Sequence, residues 1–164
     1  MSKTKISAPA GVPFIDITRE FEAPRDLVFR AYTEPDLIKQ WLGPRKYEMD
    51  IDVYDVRDGG RWRYIHRDDQ GNAYGFHGVF HGDPSPDGMT QTFEFEGFPG
   101  SVALDHLVLE ADGDRTIART HSVYQSLEAR NGMVESGMEA GVTEGFDRLE
   151  ELLERLQSTA GARR

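Results

Sequence analysis

Five histidines, His66, His77, His81, His106 and His121, are the side chains of this chain best suited to acid–base or metal chemistry near neutral pH. His77 and His81 are four apart, but in an extended segment that spacing puts them on one face about 13 Å from each other, too far to share a metal ion. No His-Glu-x-x-His or comparable cluster is present, so the sequence predicts neither a metal site nor a cofactor. His66 alternates with Trp62 and Tyr64. It is either a polar group in an aromatic cavity wall or a strand-end histidine reaching solvent. His106 shares parity with Val102, Leu104 and Val108, and His121 with Ile117 and Val123, so the same two readings apply to each. Glu135 falls inside the apolar arc of a helix; it either steadies the first turn through the helix dipole or stands at a cavity mouth, able to pair with a histidine as acid and base. The burial and mutual distances of His66, His106, His121, Asp105 and Glu135 decide between these readings. There is no Gly-x-Ser-x-Gly elbow, P-loop or Gly-x-Gly-x-x-Gly, so hydrolase, nucleotide and dinucleotide chemistry lack support, and no catalytic residue is assigned.

The aromatic residues Trp41, Trp62, Tyr64, Phe76, Phe80, Phe93, Phe95 and Phe146 have core packing as their first explanation. The elements that carry them are legible. Phe14–Phe21 reads as an opening strand, followed by two short helices starting near Pro24 and Pro35, the second stopped by Gly43-Pro44. From Tyr47 to Tyr124 the pattern is strands and turns: alternation over 47–54, Asp58-Gly59-Gly60, the strand 61–66, Asp69-Gln70-Gly71-Asn72, then 73–81, 89–96, 102–110 and 116–124. Short turns between consecutive strands predict an antiparallel meander. Over 73–81, Phe76 and Phe80 oppose His77, Val79 and His81, so the pattern leaves the inward face open.

Residues 133–156 predict one long amphipathic helix. Met138, Val142, Phe146, Leu149, Leu152, Leu153 and Leu156 share a face, and acidic side chains point away. Its length of about 36 Å would cross a small domain. Gly137, Gly141 and Gly145 form a row along one flank, at a cost of about 1 kcal/mol each relative to alanine. Either something comes close to that flank or space is left beside it.

Composition narrows the function. A chain of 164 residues is a one-domain length. Residues 1–13 read as a disordered lead-in without a signal peptide, 14–157 as the domain, and 158–164 as a tail. The absence of cysteine removes disulfides, thiolate metal sites and cysteine nucleophiles. A formal charge of -10 argues against nucleic acid and anionic membranes as partners. No window is long and apolar enough to span a bilayer, and a cytoplasmic location is expected.

Trp41-Leu42-Gly43-Pro44, Asp58-Gly59-Gly60-Arg61-Trp62, the Gly78 strand and Ser136-Gly137-Met138-Glu139-Ala140-Gly141, taken with the element order, resemble the activator of Hsp90 ATPase homologue 1-like family. That family lies in the START/Bet v 1-like (SRPBCC) superfamily. The resemblance runs over roughly 14–156 and implies an α+β helix-grip fold. Such a fold is a curved antiparallel sheet of about seven strands wrapped on a long C-terminal helix, with two short helices after strand 1 and an internal cavity. The superfamily includes binders of lipids, sterols, polyketides and hormones as well as cyclases and dehydratases, so three functions are carried forward. The first is binding of a small, mostly apolar ligand, lined by Trp41, Trp62, Tyr64, His66, Phe93, Phe95, His106, His121, Met138, Gly141, Val142 and Phe146. The second is a cyclase or dehydratase using a cavity histidine and a carboxylate. The third is chaperone interaction. Hsp90 is not the expected partner, because the eukaryotic activator carries a further N-terminal domain and only about a dozen residues precede the fold here. A homodimer is left open.

Overall fold

The computed structural model describes residues 3–162. Eight strands form one antiparallel sheet in the spatial order β1-β2-β8-β7-β6-β5-β4-β3. These are β1 Thr4–Ser7, β2 Phe14–Phe21, β3 Glu48–Tyr54, β4 Arg61–Arg67, β5 Ala73–Ser85, β6 Gly88–Phe95, β7 Val102–Asp112 and β8 Arg115–Val123. From β3 to β8 each strand pairs with its chain neighbour, as a meander requires, and the sheet is extended when β2 pairs with β8. Helices α1 (Arg25–Thr33) and α2 (Pro35–Ile38) follow β2, and α3 (Leu127–Glu135) and α4 (Met138–Ala162) follow β8.

Three expectations change. The strand count is eight, because Thr4–Ser7 inside the lead-in adds to the edge of β2 in register Ile6↔Ile17. Pairing supplies what a four-residue segment lacks alone: Ile6 packs against the core, and Arg19 donates to the Thr4 hydroxyl at 2.9 Å. At the other end α4 continues through Ala162, into the stretch assigned to a tail. The long helix is also two helices. Ser136 ends α3, and Gly137 takes φ +83°, a left-handed conformation that side chains resist and glycine accepts, so the chain turns before α4 begins.

The two halves of α4 do different work. Phe146, Leu149, Leu152 and Leu153 are buried with Ile15, Ile17, Phe21, Val28, Leu107 and Leu109 in the main core. Each such side chain contributes about 1.5–3 kcal/mol through burial. Phe146 closes this region, edge-on to Phe21 at 5.6 Å and stacked on Trp41 at 6.2 Å. N-terminal to it the helix offers Met138, Ala140, Gly141 and Val142, which are too small or too exposed to fill the curve of the sheet. The space they leave is the cavity.

Candidate functional site

A cavity of about 1970 Å³ lies between the inner face of the sheet, α3 and the first half of α4. One wall is aromatic. On β4, alternation turns Trp62, Tyr64 and His66 inward, and all three are buried. Trp62 stacks on Tyr64 at 5.4 Å and 17°, and Tyr64 on Phe76 of β5 at 5.3 Å and 28°. Phe76 in turn lies 5.5 Å from Phe93 and 5.1 Å from Phe95 of β6. Thus Phe76 and Phe80 are the inward residues of β5, and His77 lies on the outer face, bonded through its Nδ1 to Glu96 at 2.9 Å. Gly78 is required where it stands, because a Cβ there would lie 2.6 Å from the Trp62 ring.

The opposite wall is polar. Gln91 of β6, Asp105 of β7 and Ser122 of β8 are cross-strand neighbours, and all three line the cavity. Burial pushes the Asp105 carboxyl up to about 6, with the Ser122 hydroxyl opposing that shift through a hydrogen bond. Burial likewise raises the phenols of Tyr64 and Tyr124, with the Asp105 charge adding to both, so they stay neutral at ordinary pH. His66 shifts the other way: burial lowers its imidazole to about 4, the main chain at Leu42 opposes this, and the Arg148 charge adds to it. The ring is therefore neutral at pH 7. It stacks on Tyr47 at 5.3 Å and 8°, and its Nε2 is buried without a partner, as is Trp62 Nε1.

One end is sealed by the segment after α2. Trp41 donates its indole N–H to Ala31 O at 2.9 Å, and Tyr54 its hydroxyl to Tyr32 O at 2.5 Å. Arg148 of α4 then ties down the loop, donating to Gly43 O at 2.7 Å and Gln40 O at 2.9 Å, while Glu144 accepts from the Arg45 N–H at 2.6 Å. Gly145 permits this approach, since a Cβ there would lie 3.2 Å from Gly43 N and 3.3 Å from Trp41 O. Gly141 is less crowded, with Pro44 Cγ at 3.4 Å from a Cβ. The other end is the mouth, rimmed by Phe98 in the β6–β7 loop, 69% exposed, and by Leu127 of α3, 40% exposed.

Trp41, Trp62, Tyr64, His66, Phe93, Phe95, Met138, Gly141, Val142 and Phe146 all line this space. His106 and His121 do not. They occupy the outer face, His106 bonded to the Thr90 hydroxyl at 2.7 Å and His121 to Asp16 at 2.5 Å. The apolar residues that share their parity, Leu104 and Val123, are outward as well, 44% and 36% exposed and paired in register. Parity failed here because the inner residues that flank these histidines towards the cavity, Ala103, Asp105, Thr120 and Ser122, are small or polar, although Leu107 and Leu109 further along β7 share that inner face. The sequence leaves the burial of Asp105 to be decided, and Ser122 carries no signal of its own. Glu135 is exposed on α3 at the rim. Among the described residues no group of three or more His, Asp or Glu side chains could hold a metal ion.

Residues 22–154 match the model of the family described as activator of Hsp90 ATPase homolog 1-like protein. Among solved structures, a protein from Arthrobacter aurescens superposes with a TM-score of 0.85 at 22% identity, over 92% of this chain and 91% of that one. A Rhodobacter sphaeroides protein gives 0.85 at 23% identity, over 93% and 99%. One from Nitrosomonas europaea gives 0.78 at 25% identity, over 92% and 99%. These likenesses establish the helix-grip, Bet v 1-like fold. No protein of curated function matches the chain.

Proposed function

Because the chain belongs to the activator of Hsp90 ATPase homologue 1-like family of the START/Bet v 1-like superfamily, we propose that it binds a small, mostly apolar molecule between sheet and C-terminal helix. The observation that carries this is the aromatic-walled cavity of about 1970 Å³ beside the packed Phe146, Leu149, Leu152 and Leu153 of α4. A fold that spends glycine and alanine on one half of a helix and leucine on the other has kept that space open. Apolar walls contribute affinity by removing ligand surface from water, and the buried donor at Trp62 Nε1 offers one directional contact.

The cyclase or dehydratase reading needs a histidine and a carboxylate within reach of common substrate atoms. His66 and Asp105 are the candidates inside the cavity, on β4 and β7, three strands apart and out of register: Asp105 is level with Phe80 of β5 through Gln91, whereas His66 pairs with Tyr74, six residues along the same strand. That separation suits two ends of a bound molecule better than one reacting centre. Among the described residues no helix is long and apolar enough to cross a membrane.

Native mass spectrometry of the protein purified from its own cells tests the proposal, read beside Trp62 fluorescence during titration with a panel of apolar compounds. A bound mass released on denaturation, or saturable quenching lost in Phe76→Ala, is the expected result. A bare mass together with no response to any compound would sink it.

A further inference from the structure

The charged groups around the cavity are unbalanced. Asp105 lies inside and Glu128, Glu135 and Glu144 stand on the rim, against a single lysine or arginine among the described lining residues, Lys46, whose ammonium sits over the Tyr47 ring at 5.1 Å. Arg148 is engaged with main-chain carbonyls of Gln40, Gly43 and Pro44. The whole chain carries -10, so the potential at the mouth attracts cations and repels carboxylates and phosphates. Inside, Asp105 is held between Gln91 and Ser122 on neighbouring strands, and its environment is set by burial and the Ser122 hydroxyl, with no ion pair to a cation among the described residues. The faces of Trp62, Tyr64, Phe76 and Phe93 complete the enclosure, and aromatic faces favour positive charge.

We propose that the cavity is built for an amine: an apolar body lies along the aromatic wall and its ammonium pairs with the carboxylate of Asp105. This rests on the ligand-binding reading above and names the class of ligand. In a site of low polarity a charge-assisted hydrogen bond between ammonium and carboxylate is stronger than a neutral one, while an isosteric carboxylic acid would set two anions side by side. Gln91 and Ser122 flank the pair and supply neutral hydrogen-bonding groups to its remaining lone pairs and protons.

The pairing carries its own pH dependence. The titratable groups facing Asp105 are the phenols of Tyr64 on β4 and Tyr124 after β8, both neutral because burial raises them; Gln91 and Ser122 do not titrate, and the helices contribute Glu128 and Glu135 of α3 and Glu144 of α4 to the lining. An alkylammonium stays protonated throughout this range. Amine affinity should therefore hold above pH 6 and fall as Asp105 takes up its proton near 6 and below.

Three matched probes test this: 6-phenylhexylamine, 6-phenylhexanol and 6-phenylhexanoate, titrated into the whole chain by calorimetry at pH 7.5 and 4.5. At pH 7.5 the amine should bind at least about tenfold more tightly than the carboxylate and several-fold more tightly than the alcohol. The amine-to-alcohol ratio should fall towards one in Asp105→Asn at pH 7.5, and in the unaltered protein at pH 4.5, a measurement that needs no variant to fold. A ratio that survives both changes, or a carboxylate that binds as well as the amine, overturns the proposal while leaving cavity binding in place. Failure of all three probes to bind overturns the amine proposal; cavity binding itself falls only if the native mass is also bare and the wider panel gives no response.

Discussion

Asp105 and His66 pull the stability of the protein in opposite directions with pH. The folded state raises Asp105 from the usual 3.8 to about 6, so it binds that proton more tightly than the unfolded chain does. The stability this confers is full below about 3.8 and is lost as pH rises to 6. His66 is lowered from 6.5 to about 4, so its contribution is full above 6.5 and is lost as pH falls to 4. Between pH 4 and 6 the slopes oppose, each at most about 1.4 kcal/mol per pH unit, and the unaltered protein should be nearly flat there. Urea unfolding at pH 4.5, 5.5 and 6.5 should show Asp105→Asn losing stability towards acid and His66→Gln losing it towards neutral pH. At pH 7.5 Asp105→Asn should be more stable than the parent by roughly 2 kcal/mol, since asparagine escapes the burial of a charge. An Asp105→Asn protein that is no more stable at pH 7.5 and still flat at acid pH would contradict both assignments. The amine pairing proposed above would account for a carboxylate kept at the expense of stability, which is how functional ionisable residues commonly sit.

At the scale of elements, the glycines near the start of α4 separate into three roles. Gly137 turns the chain with positive φ, so Gly137→Ala should cost about 1 kcal/mol through strain. Gly141 meets only the Pro44 ring at ordinary contact distance, so Gly141→Ala should gain up to about 1 kcal/mol from helix propensity. Gly145 faces backbone at Gly43 and Trp41 on a loop held by three Arg148 hydrogen bonds, so Gly145→Leu should cost about 3 kcal/mol or more. Thermal unfolding of the three variants checks the ranking; a Gly145→Leu protein as stable as Gly141→Ala would mean that the loop moves freely. The row of three, four residues apart, looked like one packing device. It is one turn, one relaxed contact and one close approach.

For the whole molecule, an open cavity and a packed core under the same helix imply that ligand and fold are linked. A molecule that binds only the folded state adds stability as RT ln(1 + [L]/Kd), about 2.7 kcal/mol at a hundred times Kd. The melting temperature should therefore climb with the logarithm of ligand concentration. Hydrogen exchange should slow most in α3 and the start of α4, which roof the cavity, and least over Phe146 to Leu153, already anchored in the main core. Uniform protection along α4 would mean that the helix moves as one unit.

The sequence by itself determined seven of the eight strands, the turns, the two short helices and the apolar stripe of α4, because each depends on neighbours within a few residues: alternation, turn glycines and helical spacing. It also placed Trp62, Tyr64, Phe93, Phe95, Val142 and Phe146 together, because a large apolar side chain on a strand or helix marks the inner face wherever the core is dense. Tertiary structure alone decided that β7 and β8 turn Asp105 and Ser122 inward and His106, His121, Leu104 and Val123 outward. A cavity wall is not a packed core; it accepts small and polar residues, so hydrophobic parity misled on β7 and β8 while it held on the aromatic strands β4 and β6. Only pairing with β6 and β2 fixes which face is concave, and those partners lie up to about a hundred residues away in the chain.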